Sequence, residues 1–224
     1  MTHQNQTSKI KTRSAGCVVA GLLVGLTGCK STYYNAWEKM GWEKRDILVD
    51  RVQDARDDQE KAKEQFKTTL ERFQSLTNFQ GGELDSTYKK LSGDYERCEA
   101  RAADVSKRIV AVDTVARDMF REWKTELEQY ENANLRRASE QKLRDTESRY
   151  DQLITAMKRS EEKMQPVLAA FRDQTLMMKH SLNAQAIASL QETAAGIEQD
   201  VQRLITDMEA SIAEADQFIS QMKE

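Results

Sequence analysis

Cysteine and histidine are the side chains of this 224-residue chain that are best suited to chemistry, and the chain has few of them. They are Cys17, Cys29, Cys98, His3 and His180. A single histidine after the first 28 residues cannot build a zinc site that needs two or three histidines. The chain has neither a Cys-x-x-Cys pair nor a Gly-x-x-x-x-Gly-Lys phosphate-binding loop. We therefore predict no catalytic residue, no metal-ligand set and no cofactor.

The first 28 residues have the pattern of a secretory signal. Their only charges are Lys9, Lys11 and Arg13, and residues 15–26 are uncharged. A basic segment, then a short apolar segment, then small residues are typical of such signals. The uncharged stretch is shorter than the roughly 20 residues that a membrane-spanning helix needs. The sequence therefore predicts export and removal of residues 1–28.

The end of this leader, Leu26-Thr27-Gly28-Cys29, resembles the lipobox of bacterial lipoproteins. The resemblance implies a thioether-linked diacylglyceryl group on Cys29, cleavage between Gly28 and Cys29, and acylation of the new amino group. One acyl chain binds a membrane only marginally, whereas two or more anchor a protein stably. The next residue is Lys30 rather than the aspartate that favours retention in the inner membrane. The resemblance thus implies the periplasmic face of the outer membrane.

The composition of the remaining chain indicates long helices. The leader holds three of the 34 Lys and Arg residues and none of the 37 acidic residues, which leaves a formal net charge of −6. After the leader there are only five glycines and one proline, Pro166, so little interrupts a helix. Positive and negative residues alternate without a basic stripe, and we therefore expect no binding to nucleic acid.

Apolar residues recur at alternating steps of three and four, which is the heptad pattern of helices that pack along a partner. In the first helix, up to about residue 78, the register is Leu48, Val52, Ala55, Gln59, Ala62, Phe66, Thr69, Phe73 and Leu76. The second register is Leu84, Tyr88, Leu91, Tyr95, Cys98, Ala102, Val105, Ile109, Val112, Ala116, Met119 and Trp123. The third contains Tyr150, Leu153, Met157, Met164, Leu168, Phe171 and Met178. The last is Ile187, Leu190, Ala194, Ile197, Val201, Leu204, Met208, Ile212, Ala215, Ile219 and Met222. Cys98 lies on this register, so we expect a buried thiol.

Breaks between these registers define the predicted architecture. Gly81-Gly82 predicts a tight turn, the phase slips near residues 132–134, and Asn183 is a good helix N-cap. Pro166 is expected to kink the third stretch. The sequence predicts an all-α fold, an antiparallel bundle or coiled coil of three or four long helices. Either four helices run up and down, which we favour, or one helix runs from residue 84 to about 180. The predicted domains are a signal peptide (1–28), a lipidated tether (29–35) and the helical body (36–224).

Aromatic residues cluster just after the predicted tether. They are Tyr33, Tyr34, Trp37 and Trp42. Tyrosine and tryptophan favour the membrane–water interface, so these rings are candidates for contact with lipid headgroups. The equally good alternative is that they begin the helix core.

Two stretches of the body, residues 123–143 and 178–191, resemble the bacterial helical proteins catalogued as domain of unknown function 2959. The resemblance extends over nearly the whole chain from Tyr33 onward. It implies a helical lipoprotein, and it implies no activity, ligand or catalytic residue.

We therefore expect a non-enzymatic, membrane-anchored lipoprotein whose helical body is a structural or interaction module of the cell envelope. Its expected partners are the membrane through Cys29, an envelope protein, and a second copy of the chain. The alternative is a carrier that binds a lipid or another apolar ligand between its helices. Flexible side chains suited to such a site are Met157, Met164, Met177 and Met178.

Overall fold

The structure is a computed structural model that describes residues 44–77, 84–180 and 184–223. These residues form four long α-helices and a short 3₁₀ turn. The helices are α1 (Lys44–Thr77), α2 (Leu84–Glu126), α3 (Ala133–His180) and α4 (Ala184–Lys223), and the 3₁₀ turn is Leu127–Gln129. The predicted Gly81-Gly82 turn and the Asn183 cap lie outside the described residues.

The helices form one antiparallel bundle in which each helix packs against its neighbours along the chain. In addition, α1 packs against α4, which closes the bundle and leaves α1 and α3 diagonally opposite each other. Alternating directions put the start of α1, the α2–α3 turn and the end of α4 at one end, which we call the Lys44 end. The predicted all-α bundle is confirmed, in its four-helix form.

The α2–α3 turn excludes the alternative of one continuous helix from residue 84 to 180. Asn132 caps α3, because its Oδ1 accepts hydrogen bonds from the backbone N–H of Asn134 at 2.9 Å and of Leu135 at 3.2 Å. A side-chain cap of this kind satisfies N–H groups that have no partner within the helix. Across the turn, the indole Nε1 of Trp123 donates to Ser139 Oγ at 2.9 Å. α3 then continues through Pro166 to His180.

The heptad registers identify the core. All nine predicted positions of α1 are buried with 0% exposure, including the polar residues Gln59 and Thr69. On the other helices, the side chains of the predicted positions Leu84 and Ile187 lie outside the described part of the structure. Among the remaining predicted positions, the half-buried ones are Tyr88, Tyr95, Trp123, Ala194 and Ile212. Two of these aromatic residues reach polar partners at the surface, as the 2.5 Å bond from Tyr95 Oη to Glu99 shows. The core beyond them is mostly apolar, with a few fully buried polar side chains such as Gln59 and Thr69.

Ion pairs on the outside connect each helix to its neighbours. Among the described residues, the pairs between α1 and α2 include the most buried carboxylate, that of Asp94. Arg108 contacts Asp54 and Asp58 at 2.8 Å each, and Arg72 donates to Asp94 at 2.6 Å. The other connections are Lys44–Glu122, Lys124–Glu147, Arg159–Asp207, Lys163–Asp207, Arg56–Asp216 and Lys63–Glu209.

Asp94 is expected to make the bundle sensitive to acid. Its carboxylate is 1% exposed and accepts hydrogen bonds from Arg72 of α1 and Arg97 of its own helix. Burial alone would raise its pKa, but the hydrogen bonds and charges of the two guanidinium groups outweigh burial and lower the pKa below its ordinary value. A lowered pKa in the folded state gives stability that is complete above pH 4–5 and lost as the pH falls through the folded value.

We therefore expect Asp94→Asn to lower the free energy of unfolding by about 2 kcal/mol at pH 7, since a hydrogen-bonded buried charge is lost. The loss should be much smaller at about pH 2.5, well below the ordinary aspartate pKa of about 3.9, because the stability that a lowered pKa provides is lost as the pH falls. Urea unfolding at both values measures this. Asp104→Asn is the matched control, because Asp104 is half-exposed and pairs only with residues of its own helix, Arg101 and Lys107. An equal loss for Asp94→Asn at both pH values would contradict the assignment.

Candidate functional site

The residues that the sequence singles out for anchoring lie outside the described ranges. They are Gly28, Cys29, Tyr33, Tyr34, Trp37 and Trp42. Lipidation, cleavage and contact with the membrane interface therefore stay predictions for these positions. None of the helices within 44–77, 84–180 and 184–223 carries an apolar segment long enough to cross a bilayer.

The most unusual feature of the core is a polar layer formed by Gln59 of α1, Ser160 of α3 and Ser211 of α4. All three side chains have 0% exposure. Gln59 Nε2 donates to Ser160 Oγ at 2.9 Å, and Ser211 Oγ donates to Gln59 Oε1 at 2.9 Å. The Gln59 side chain thus connects α1 to two other helices, its neighbour α4 and the diagonally opposite α3.

The hydrogen bonds of this layer have a single consistent direction. Ser160 Oγ donates its one proton to the backbone carbonyl of Met157 at 2.8 Å, so toward Gln59 it can only accept. The NH₂ group of Gln59 must therefore face Ser160, which leaves the amide oxygen to accept from Ser211. Each of the three side chains has a partner, which removes most of the cost of burying polar groups. The layer is a structural element that fixes how α1, α3 and α4 align.

Sequence analysis placed Gln59 in the core but missed both serines. Ser160 occupies the heptad position between Met157 and Met164, three residues after one and four before the other. Ser211 stands in the same relation to Met208 and Ala215, whereas the predicted core residue Ile212 is only half-buried. The heptad spacing therefore indicates that both serines are core positions. The apolar side chain of Ile212 led to the choice of position 212 instead of 211.

Cys98 is a buried thiol, as predicted. It has 0% exposure, and its Sγ lies 3.1 Å from the hydroxyl of Thr69 on α1. Burial raises the pKa of the thiol to about 12, although the hydrogen bond to Thr69 opposes this. The thiolate is the reactive form of cysteine, so this group is unreactive near neutral pH in the folded protein.

The described part of the chain has few groups that could bind a metal ion or a ligand. No group of three or more His, Cys, Asp or Glu side chains is placed to hold a metal ion there. His180 is exposed in the last turn of α3. An open surface groove of about 530 Å³ lies beside Phe120, between Arg121 of α2 and Glu147 of α3. Its charged walls do not suit an apolar ligand.

The methionines proposed for a carrier are mostly core residues. Met157 and Met164 have 0% exposure and Met178 has 1%, while Met177 is half-buried. They share the core with an aromatic cluster in which Phe171 lies 6.4 Å, between ring centroids, from both Phe66 and Phe73. Their packing is that of side chains filling the space between helices.

The model of a family described as "Protein of unknown function (DUF2959)" matches residues 33–222. No curated protein and no solved structure matches the chain.

Proposed function

The chain belongs to this family of proteins of unknown function, and we propose that it is a non-enzymatic lipoprotein, anchored through Cys29, whose helical bundle is a structural or interaction module of the cell envelope. The proposed location is the periplasmic face of the outer membrane. The proposed partner is another envelope protein or a second copy of the chain.

One observation carries this proposal, the sequence Leu26-Thr27-Gly28-Cys29 directly after a basic and then apolar leader. A leader alone indicates export. A cysteine placed after Leu, a small residue and Gly adds the acceptor of a lipid. The body supports the same interpretation, since a bundle with a hydrogen-bonded core and ion-paired outer faces is suited to holding a fixed shape. The proposal gives no residue of the body a catalytic role.

The test is membrane attachment of the full-length chain in cells fed with labelled palmitate. We expect the wild type to carry the label and to float with outer-membrane vesicles in a density gradient. Cys29→Ser should lose the label and leave the membrane fraction, because serine cannot form the thioether. Cys17→Ser is the matched control, since Cys17 lies in the leader and should not affect labelling.

Equal labelling and flotation of the wild type and Cys29→Ser would contradict the anchor. An unlabelled wild type in the soluble cytosolic fraction would contradict both the anchor and export.

A further inference from the structure

The turn between α2 and α3 is the most exposed part of the bundle that the structure describes. Every residue of the segment 128–138, which we call the hairpin tip, is exposed. Two large apolar side chains belong to it. Tyr130 is 40% exposed and Leu135 is 58% exposed. The hairpin tip thus presents apolar surface that none of the described helices covers.

The hairpin tip lies at the Lys44 end of the bundle. The ammonium group of Lys44, the first described residue of α1, pairs with Glu122 of α2. Next to Glu122, Trp123 bonds to Ser139 of α3. Leu135 precedes Ser139 by four residues, which places it about 6 Å farther along the helix axis, toward the outside of the bundle.

The chain length before Lys44 limits how far this end can be from an anchored Cys29. Lys44 follows Cys29 by 15 positions. A fully extended chain spans at most 3.3–3.6 Å per residue, or about 50 Å in all. With Cys29 acylated in a bilayer, Lys44 stays within this range of the membrane surface, and the hairpin tip lies at the same end of the bundle as Lys44. Such tethering makes even a weak contact effective, because binding becomes intramolecular.

The chemistry of the hairpin tip fits the interface of a bilayer better than it fits a charged surface. Arg136 pairs with Glu140 at 3.0 Å, and Arg137 donates to Asn134 Oδ1 at 2.5 Å. The acidic Glu128 and Glu131 also belong to the hairpin tip, so it has no excess of positive charge for anionic lipids. Tyrosine favours the membrane–water interface, and moving a leucine side chain out of water is favourable.

We propose that Tyr130 and Leu135 of the hairpin tip insert shallowly into the bilayer that holds Cys29, as a second membrane contact that does not depend on anionic lipids. The contact is at one end of the bundle, so it directs the helix axes away from the membrane surface. This inference rests on the proposed lipid anchor.

The experiment uses the full-length, lipidated protein reconstituted in vesicles of phosphatidylcholine and phosphatidylethanolamine. Leu135→Cys is labelled with an environment-sensitive fluorophore, and brominated lipids in the vesicles serve as quenchers. The dye is selective because Cys17 would be removed with the leader, Cys29 would be acylated and Cys98 is buried. Leu176→Cys is the matched control, since Leu176 is 48% exposed and lies near the other end of α3. It also controls for the affinity of the dye itself for lipid.

We expect the lipid quencher to reduce the fluorescence of the label at position 135 several-fold more than at 176, and Tyr130→Cys to behave like Leu135→Cys. Equal quenching at 135 and 176 on vesicles that carry the protein would overturn the contact and leave the anchor intact. Equal quenching would overturn the membrane contact both if the label at 135 is exposed to water and if a second copy of the chain covers it. Failure of the wild-type chain to float with the vesicles would overturn the anchor, and the inference with it.

Discussion

Replacing Gln59 with alanine is expected to lower the free energy of unfolding by about 3 kcal/mol, from a cavity and two lost hydrogen bonds. The change removes the amide that joins Ser160 and Ser211 in the fully buried polar layer. Ser211 then has a buried hydroxyl whose partner is gone. Urea unfolding followed by circular dichroism measures the effect.

The matched comparison removes the whole layer instead of one member. The triple variant Gln59→Leu, Ser160→Ala and Ser211→Ala has no side-chain polar group in the layer, so no unsatisfied group is buried there. Its stability should lie within about 1 kcal/mol of the wild type, because replacing both partners of a buried hydrogen bond by apolar groups is nearly neutral. If the triple variant were as unstable as Gln59→Ala, the stability of this layer would come from the packing of its side chains and not from their hydrogen bonds.

Phe171→Ala should destabilise the bundle by about 4 kcal/mol, since a buried phenylalanine side chain is lost and its space cannot fully close. Phe171 is 1% exposed, and its ring lies between those of Phe66 and Phe73 on the diagonally opposite helix. Together with the hydrogen bond between Gln59 and Ser160, this aromatic contact therefore links the two diagonally opposite helices α1 and α3. Phe171→Leu keeps most of the volume and should cost about 1.5 kcal/mol or less.

The control for this second prediction is Leu176→Ala on the same helix. Leu176 is exposed, so its truncation should change the free energy of unfolding by no more than about 0.5 kcal/mol. Denaturant unfolding of the three variants gives all the values needed. A loss below about 1 kcal/mol for Phe171→Ala would mean that the aromatic cluster does not hold α1 and α3 together.

Heptad spacing in the sequence was enough to predict the helices and their core positions. Spacing alone identified Gln59 and Thr69 as core positions despite their polar side chains, and both are fully buried. It left open whether the chain turns near residue 132, because asparagine is tolerated inside a helix as well as at its start. The Asn132 side chain decides this by capping α3, a contact that only the folded geometry shows.

The side-chain contacts between helices could not be predicted from the sequence, for a different reason. Acidic and basic residues alternate along every helix, so nothing in the order of residues selects Arg72 as the partner of Asp94. The partners of Gln59 were hidden in a similar way, since the order of residues does not show which serines in heptad positions meet a hydrogen-bonding side chain of another helix. Exposure of Tyr130 and Leu135 likewise depends on where neighbouring helices end.

The most direct test of the account is mass spectrometry of the N-terminal peptide from the protein isolated from its native membrane. The account predicts a peptide that begins at Cys29 and carries a diacylglyceryl group on the thiol and an acyl group on the amine. Recovery of the tryptic peptide of residues 14–30 from this isolated protein, with an unmodified Cys29, would contradict it.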